Sequence, residues 1–455
     1  MADTGIATER IQHMLAAEEQ TFVDARPRSM ALTERAKATQ PRGVPMSWMD
    51  DLYDHPPVWV DRGAGARCTD VDGHEYVDFF VADHSAFCGH APAPVVAAVT
   101  EQMAKGNQYL LPGEDAIVVS EELASRYGMP FWQFTLSATT ANVEVIRLAR
   151  EFTQRQVIVI FDGKYHGHLD ETLVVADGAG VAPEYRGLPA SVGGNARVIP
   201  FNDVAALERA LAPGDVALVL AEPAMTNAGF ILPEPGFHDT LRQLTRANGT
   251  LLCLDETHTL VCARGGLVTE WNLSPDMLTV GKSIAGGVPL GAYGMRAEIA
   301  SLIQPPDTPN ASAGAEVDEI ATGGTLFANA LSMAAARASL TEVLTKDAYA
   351  RTAELGDQLG TGLRNAFASA GVPWSVQQLG AHAGYFFAPD QPKDAARARA
   401  VDDADLRALI RLYFANRGVW ESGWWLGPTA STQHTSADVD TYLGVFGEFL
   451  REATA

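Results

Sequence analysis

The chain has 455 residues, 47% of them apolar, and carries 33 Lys and Arg against 56 Asp and Glu, a formal charge of −23. That length suffices for a large and a smaller core, and so acidic a surface excludes nucleic acid and anionic membranes as expected partners. No basic start runs into an apolar stretch, no segment reaches the roughly 20 apolar residues of a membrane span, and the four cysteines fit neither a disulfide framework nor a metal spacing, so a cytoplasmic protein is expected.

Ile11 to Val23 reads as an amphipathic helix, and Arg26 to Pro57, rich in Pro and Met, as irregular chain. Trp59-Val60 and Tyr76 to Phe79 flank Asp70-Val71-Asp72-Gly73, a hairpin signal. Ala91 to Met103 is helical in pattern. From about Phe131 to Met295 apolar runs alternate with helical stretches such as Ala141–Phe152 and Val204–Leu211. The expected strands are Val157–Phe161, Arg197–Pro200, Val216–Ala221, Thr250–Leu254, Met277–Val280 and Gly291–Gly294. Several are apolar throughout, as strands buried on both faces should be. This predicts an α/β domain around a mostly parallel sheet, with ligands beyond the carboxyl ends of its strands. Pro305 to Thr322 reads as a polar surface loop and Ala328 to Leu344 as a long helix. The remainder, with helices over Ala350–Ala370, Asp403–Asn416 and Ser436–Arg451 and a strand over Gly384–Phe387, reads as a smaller α+β domain. Boundaries are placed at 1–90 for an N-terminal segment that adds to the small domain and the site entrance, 91–335 for the large domain and 336–455 for the small one.

Lysine is scarce: Lys37, Lys105, Lys164, Lys282, Lys346 and Lys393. Five sit in polar contexts and are expected to be solvated. Lys282 follows the apolar run Met277-Leu278-Thr279-Val280 and Gly281. Burial there is costly without a task, and desolvation makes an amine nucleophilic, as condensation with an aldehyde requires. Gly281-Lys282-Ser283 also resembles the end of a P-loop, but Asp276 stands where that motif needs glycine. Asp255 ends another strand pattern. It suits a helix cap, and beside such a lysine it suits the pyridine nitrogen of pyridoxal phosphate (PLP), which a carboxylate keeps protonated. Ser137-Ala138-Thr139-Thr140 opens a helix; by itself that is a good N-cap, and the same N–H groups suit a phosphate. Tyr165, in Asp162-Gly163-Lys164-Tyr165-His166-Gly167-His168, can stack on a flat ring or be an ordinary loop residue. His166 and His168 lack carboxylate or cysteine partners at ligand spacing, so no metal is expected.

In this order the motifs resemble the class III (omega-type) aminotransferases of PLP fold type I. The likeness is strongest to the branch that includes glutamate-1-semialdehyde aminomutase and the beta-amino-acid aminotransferases, and runs from about Asp70–Phe79 to the C-terminus. The resemblance implies an α/β large domain with a mostly parallel seven-stranded sheet, a smaller α+β domain, and pyridoxal 5'-phosphate as cofactor. It implies that Lys282 holds the cofactor and moves the proton, and that Asp255 pairs with the pyridine nitrogen. Ser137, Ala138 and Thr139 match the phosphate turn, Tyr165 the stacking aromatic, Thr257 the residue on the second ring face, and Asn227 an asparagine near the phenolic oxygen. Gly323-Gly324-Thr325-Leu326-Phe327 looks like the loop whose threonine, here Thr325, reaches the phosphate of a neighbouring subunit, which implies a homodimer with shared sites.

Three departures stand out. Ala138 and Thr140 replace the glycine and glutamate of the family's Ser-Gly-Thr-Glu-Ala, and Thr257 with His258 replaces an apolar residue. Where relatives hold a substrate carboxylate with arginine, this chain reads Val44-Pro45-Met46-Ser47-Trp48-Met49 and Trp420-Glu421-Ser422-Gly423-Trp424-Trp425. Met and Trp there are either simply core or an apolar pocket, and Arg42 and Arg264 are the possible substitutes. The expected activity is therefore ping-pong transfer of an amino group from an amine or amino acid to a keto acid, ketone or aldehyde. The alternatives are exchange within one molecule, as in an aminomutase, and a PLP-binding regulator, for which the acidic chain offers no DNA-binding module.

Overall fold

The computed structural model describes residues 4–53, 55–178, 180–303, 320–421 and 427–455. Two compact units form. One comprises Met1–Ala93, Lys346–Pro392 and Arg397–Ala455, the other Pro94–Thr345 with Lys393–Ala396.

The second unit is built on a seven-stranded sheet. Its strands are β1 (Phe131–Thr135), β2 (Val157–Phe161), β3 (Ala196–Ile199), β4 (Val216–Ala221), β5 (Leu251–Asp255), β6 (Met277–Val280) and β7 (Gly291–Met295), in spatial order β1-β7-β6-β5-β4-β2-β3. Within this sheet β7 runs antiparallel to both neighbours and the other pairings are parallel. β4, β5 and β6 are buried along their whole length, which is why they read as mainly apolar runs. The helix Ala138–Thr153 turns Val145, Ile146, Leu148 and Ala149 into the core formed with Leu218, Leu220, Cys253 and Met277.

Six of these strands lie within a residue of their expected positions. At β1 the sequence predicts no strand: it is an edge strand whose exposure alternates at its start, with Trp132 buried between the exposed Phe131 and Gln133, so it lacks an apolar run. The hairpin Val174–Asp177 and Gly180–Pro183 was also unexpected. Between Ala328 and Leu344 only Ala330–Ala338 is regular α-helix. The next turn widens to a π-turn, with the Leu344 N–H on the Ser339 carbonyl. Lys164 corrects the expectation of solvated lysines: it is buried, and its ammonium group donates to the Val174 carbonyl (2.8 Å) and to Glu184 (3.1 Å). Most of the loop expected from Pro305 lies outside the described residues.

In the first unit Val60–Ala64, Arg67–Asp70 and Glu75–Asp78 form an antiparallel meander, with Val419–Trp420 added in parallel to the last. The helices Thr8–Ala25, Lys346–Ala370, Ala404–Ala415 and Ser436–Ala453 belong to the same unit and enclose a core that includes Leu359, Leu363, Leu409, Tyr413 and Phe446. Arg26 to Pro57 is not wholly irregular, because Pro27–Ala36 is a helix. Pro27 has its φ preset for the first turn, and the orphan N–H groups of Arg28 and Ser29 donate to the Asp72 carboxylate at 2.7 and 2.9 Å. The cap thus comes from the hairpin turn and leaves no local signal. Just before this helix the buried Arg26 donates to Tyr76 Oη (2.9 Å), to the carbonyls of Phe22 (3.0 Å) and Ala415 (3.2 Å), and to Asn416 (3.1 Å), while Tyr76 donates to Asp70 at 2.6 Å. Arg26 Nε also stands 3.7 Å from the buried Asp70, which keeps His74 at 3.0 Å, so Arg26→Ala removes the four donated bonds without orphaning the carboxylate and should lower stability by about 3 kcal/mol, read as a fall in the urea midpoint.

Candidate active site

The chemistry-bearing residues gather at the carboxyl ends of β5 and β6, which are adjacent and parallel, with Asp255 opposite Thr279. β6 ends at Val280. Gly281 follows and Lys282 takes a left-handed φ of 51°, a conformation that costs a non-glycine residue of order 1 kcal/mol and marks functional sites. Gly281 packs on the helix beginning at Ala138: a β-carbon there would stand 3.0 Å from that of Ala138 and 3.2 Å from its nitrogen. This contact brings the lysine turn against the helix N-terminus. Ser137 caps that helix, accepting the Thr140 N–H at 3.3 Å. The first intrahelical bond is that of Ala141 to Ser137, so the N–H groups of Ala138 and Thr139 precede the ladder and face outward with the positive dipole end.

Asp255 is buried, and three elements supply its donors. Oδ2 accepts from His166 Nδ1 (3.0 Å) and Asn142 Nδ2 (2.9 Å), and Oδ1 from the Thr257 N–H (3.0 Å). Burial works to raise the carboxyl, but the bond and attraction to His166, with those of Thr257 and Asn142, bring it down to about 2. Glu222, in the same region, goes the other way. Burial pushes it up to about 8 against the bonds from Thr226, and the Asp255 charge adds to the rise. The Thr226 hydroxyl bridges Glu222 and His258 Nδ1, the latter at 2.5 Å. Of two neighbouring buried carboxyls, one is therefore charged and one neutral at neutral pH.

Most of the expected residues find places in this unit. Thr139 accepts the His168 N–H at 3.2 Å and lies against Gly167, whose φ of 99° and absent side chain leave room for it. Tyr165 is 49% exposed and presents its ring. Thr257 is tied to Asp255, and Asn227 reaches Thr226 at 3.2 Å and Glu222 at 3.4 Å. Thr325 is exposed, and its carbonyl accepts from Gln108 rather than from any of these groups. His166, set aside as a metal ligand, proves to be the main support of Asp255. Asn142 was missed, though a buried polar residue interrupting the apolar stripe of its helix was a usable signal. Arg42 and Arg264 are engaged elsewhere, Arg42 with Asp50 (2.7 Å) and Asp51 (2.5 Å) and Arg264 with Glu122 (3.0 Å). Ser422 to Trp425 lie outside the described residues.

The donor set suits PLP. It offers an amine on a strained turn, a buried carboxylate kept ionised for a protonated ring nitrogen, and open N–H groups at a helix N-terminus for a phosphate. Residues 48–421 match the family model described as aminotransferase class-III. The chain belongs to the class III aminotransferases. A glutamate-1-semialdehyde 2,1-aminomutase of Sorangium cellulosum is 35% identical over 437 residues, covering 94% of this chain and 97% of that protein. Among solved structures, a lysine-to-alanine variant of a glutamate-1-semialdehyde aminomutase from Pseudomonas aeruginosa in complex with PMP superposes with a TM-score of 0.92 at 36% identity, covering 98% of this chain and 99% of that one. The beta-phenylalanine aminotransferase of Variovorax paradoxus superposes with a TM-score of 0.86 at 30% identity, covering 97% of both chains. The fold is thus that of PLP fold type I, α/β with a mostly parallel seven-stranded sheet.

Two titrations follow from the split carboxyls. A carboxyl lowered from 3.8 to about 2 adds stability that is fully present above about pH 3.8 and lost as pH falls through about 2, here ~2 kcal/mol. Asp255→Asn should flatten that acid limb in denaturant titrations. A carboxyl raised from 4.5 to about 8 adds stability that is full below about pH 4.5 and lost as pH rises through about 8. Glu222→Gln, which keeps a neutral side chain, should remove that alkaline loss.

Proposed function

We propose that this class III aminotransferase binds pyridoxal 5'-phosphate in the unit Pro94–Thr345 and moves an amino group between two carbons of one substrate, the aminomutase exchange. The observation that carries the cofactor reading is Asp255, buried yet ionised, at the end of the strand beside the one that leads to Lys282. The names of the similar proteins from Sorangium and Pseudomonas support the exchange within one molecule over transfer between two, the reverse of the order expected from sequence. When bound, the cofactor supplies an aldehyde that takes up the amino group and a ring that draws electrons from the bond being broken.

Asp255 keeps the ring nitrogen protonated, and His166 and Asn142 hold the carboxylate in place for that task. The Ala138 and Thr139 N–H groups take the phosphate, on a turn fixed by Ser137. Tyr165 and Thr257 would border the ring, and Asn227, whose amide nitrogen donates to Thr226 and Glu222, would stand toward the phenolic oxygen. Lys282 Nζ anchors the cofactor and, once displaced, carries the proton to and from the substrate carbon. Thr325, exposed in the single chain, serves the phosphate of a second copy, so the working form is a homodimer with shared sites.

A second reading, transfer from an amine donor to a separate keto acid, ketone or aldehyde, is favoured by the missing arginine: Arg42 and Arg264 are both held by carboxylates, and Met46, Trp48 and Met49 line an apolar cavity. The test starts from purified protein loaded with PLP. Borohydride should fix the cofactor covalently to the wild-type chain and not to Lys282→Ala, with turnover in the variant at least ~10³-fold lower. A product of the substrate's own mass, formed without added keto acid, supports the exchange; strict dependence on a keto acid supports the second reading. Failure to retain any cofactor overturns both.

A further inference from the structure

The helix Ala138–Thr153 carries a buried acid that none of the roles above uses. Glu144 is 3% exposed and lies on the face that also buries Ala141, Val145 and Leu148. Burial pushes its carboxyl up, while the Arg147 charge and the Gly323 N–H draw it down. One oxygen, Oε2, is shielded and takes no hydrogen bond among the described residues. An apolar side chain would serve this core better, so the acid is retained at a cost that some contact offsets. The ion pair with Arg147 offsets little of it. Its closest approach is 3.7 Å and the Arg147 side chain is 52% exposed, a setting in which such pairs add next to nothing.

The other partner is the loop that leads to Thr325. Gly323, whose N–H acts on Glu144, has a φ of 107°, a conformation open to glycine. Two residues earlier the Ala321 carbonyl accepts from Arg147 Nη1 at 3.3 Å. Two residues later the Thr325 carbonyl accepts from Gln108. Side chains thus take the loop at alternate residues, and two of the three come from one turn of a single helix. Beyond them the Phe327 N–H closes a turn on the Gly324 carbonyl at 2.9 Å, and Asn329 caps the next helix through the Ser332 N–H at 2.8 Å. The Thr325 side chain is left exposed. Of the three holds on the loop, Arg147 is exposed and Gln108 half-buried, so Glu144 is the anchor set in the core.

We propose that Glu144 is a positioning residue for the loop from Ala321 to Thr325, holding it so that the Thr325 hydroxyl meets the phosphate bound by a second copy of the chain. This rests on the reading of Thr325 given above. Glu144 stands six residues after Ala138 on the same helix, about 9 Å along its axis. The first turn of that helix offers N–H groups to the chain's own phosphate, and the second steadies the reach to the other. One stiff element therefore serves both sites of the pair.

Mixed dimers of full-length chains test the proposal. Two differently tagged chains are coexpressed, the mixed species is isolated and freed of cofactor, and PLP is titrated in before borohydride fixation. The label is counted by mass on the chain that keeps Lys282. With Lys282→Ala and Glu144→Ala on the same chain, the labelled site is served by the altered loop, and half-saturation should need about 5- to 10-fold more PLP than in a dimer carrying Lys282→Ala alone. With the two substitutions on opposite chains, the labelled site is served by an intact loop, and half-saturation should stay within about 2-fold of that reference. Arg147→Ala, at an exposed position that tolerates change, should repeat the pattern more weakly. Glu144→Gln, which keeps an acceptor for the Gly323 N–H, should restore the reference value. Equal loss in both arrangements, loss confined to opposite chains, or no loss in either overturns the proposal and leaves the cofactor reading standing. A loaded wild-type chain that sediments as a monomer overturns it together with the Thr325 reading. Absence of any fixed label in the wild type overturns the cofactor reading itself, and this inference with it.

Discussion

The second unit is organised around one buried negative charge. An isolated carboxylate placed out of water costs several kcal/mol, and Asp255 meets that cost with donors from three separate stretches of chain. Asn142 comes from the helix that opens at Ser137, His166 from the loop after β2, and Thr257 from the turn just past β5 itself. The carboxylate is therefore satisfied only when β2, β5 and that helix stand in their native register. The parallel sheet gathers these carboxyl ends at one edge, so the element that organises the fold also organises the chemistry.

A second carboxyl in the same region is tolerated because it gives up its charge. Glu222 sits with Thr226, His258 and Asn227 as a neutral hydrogen-bonding group. A second anion there would compete with Asp255 for the positive end of whatever the site holds. Thr257 and His258 fit this arrangement: one ties to Asp255 and the other closes the chain of contacts to Glu222.

Much of this was legible in the chain because burial writes plainly. β4, β5 and β6 are buried along their whole length and almost wholly apolar, so a lysine or an aspartate at their limits stands out. What escaped was written elsewhere in the sequence. The helix Pro27–Ala36 is capped by Asp72, which belongs to a hairpin turn more than forty residues away. β1 has one wet face and so no apolar run. Lys164 looked solvated because its partners, Val174 and Glu184, lie on segments that only the fold brings near. His166 was visible as a residue, but its role depended on a carboxylate 89 positions later.

The close approach of Gly281 to Ala138 has an evolutionary consequence. Volume at these two positions is shared, so neither can change freely while the other stays as it is. An enlargement at 281 is open only to a lineage in which the helix start has first moved away, and such a move would carry the phosphate-facing N–H groups with it. The alanine side chain at 138 has already taken up part of the common space. The order in which substitutions can be accepted is thus constrained around the lysine turn, and a pair of small residues far apart in sequence is held to a joint history.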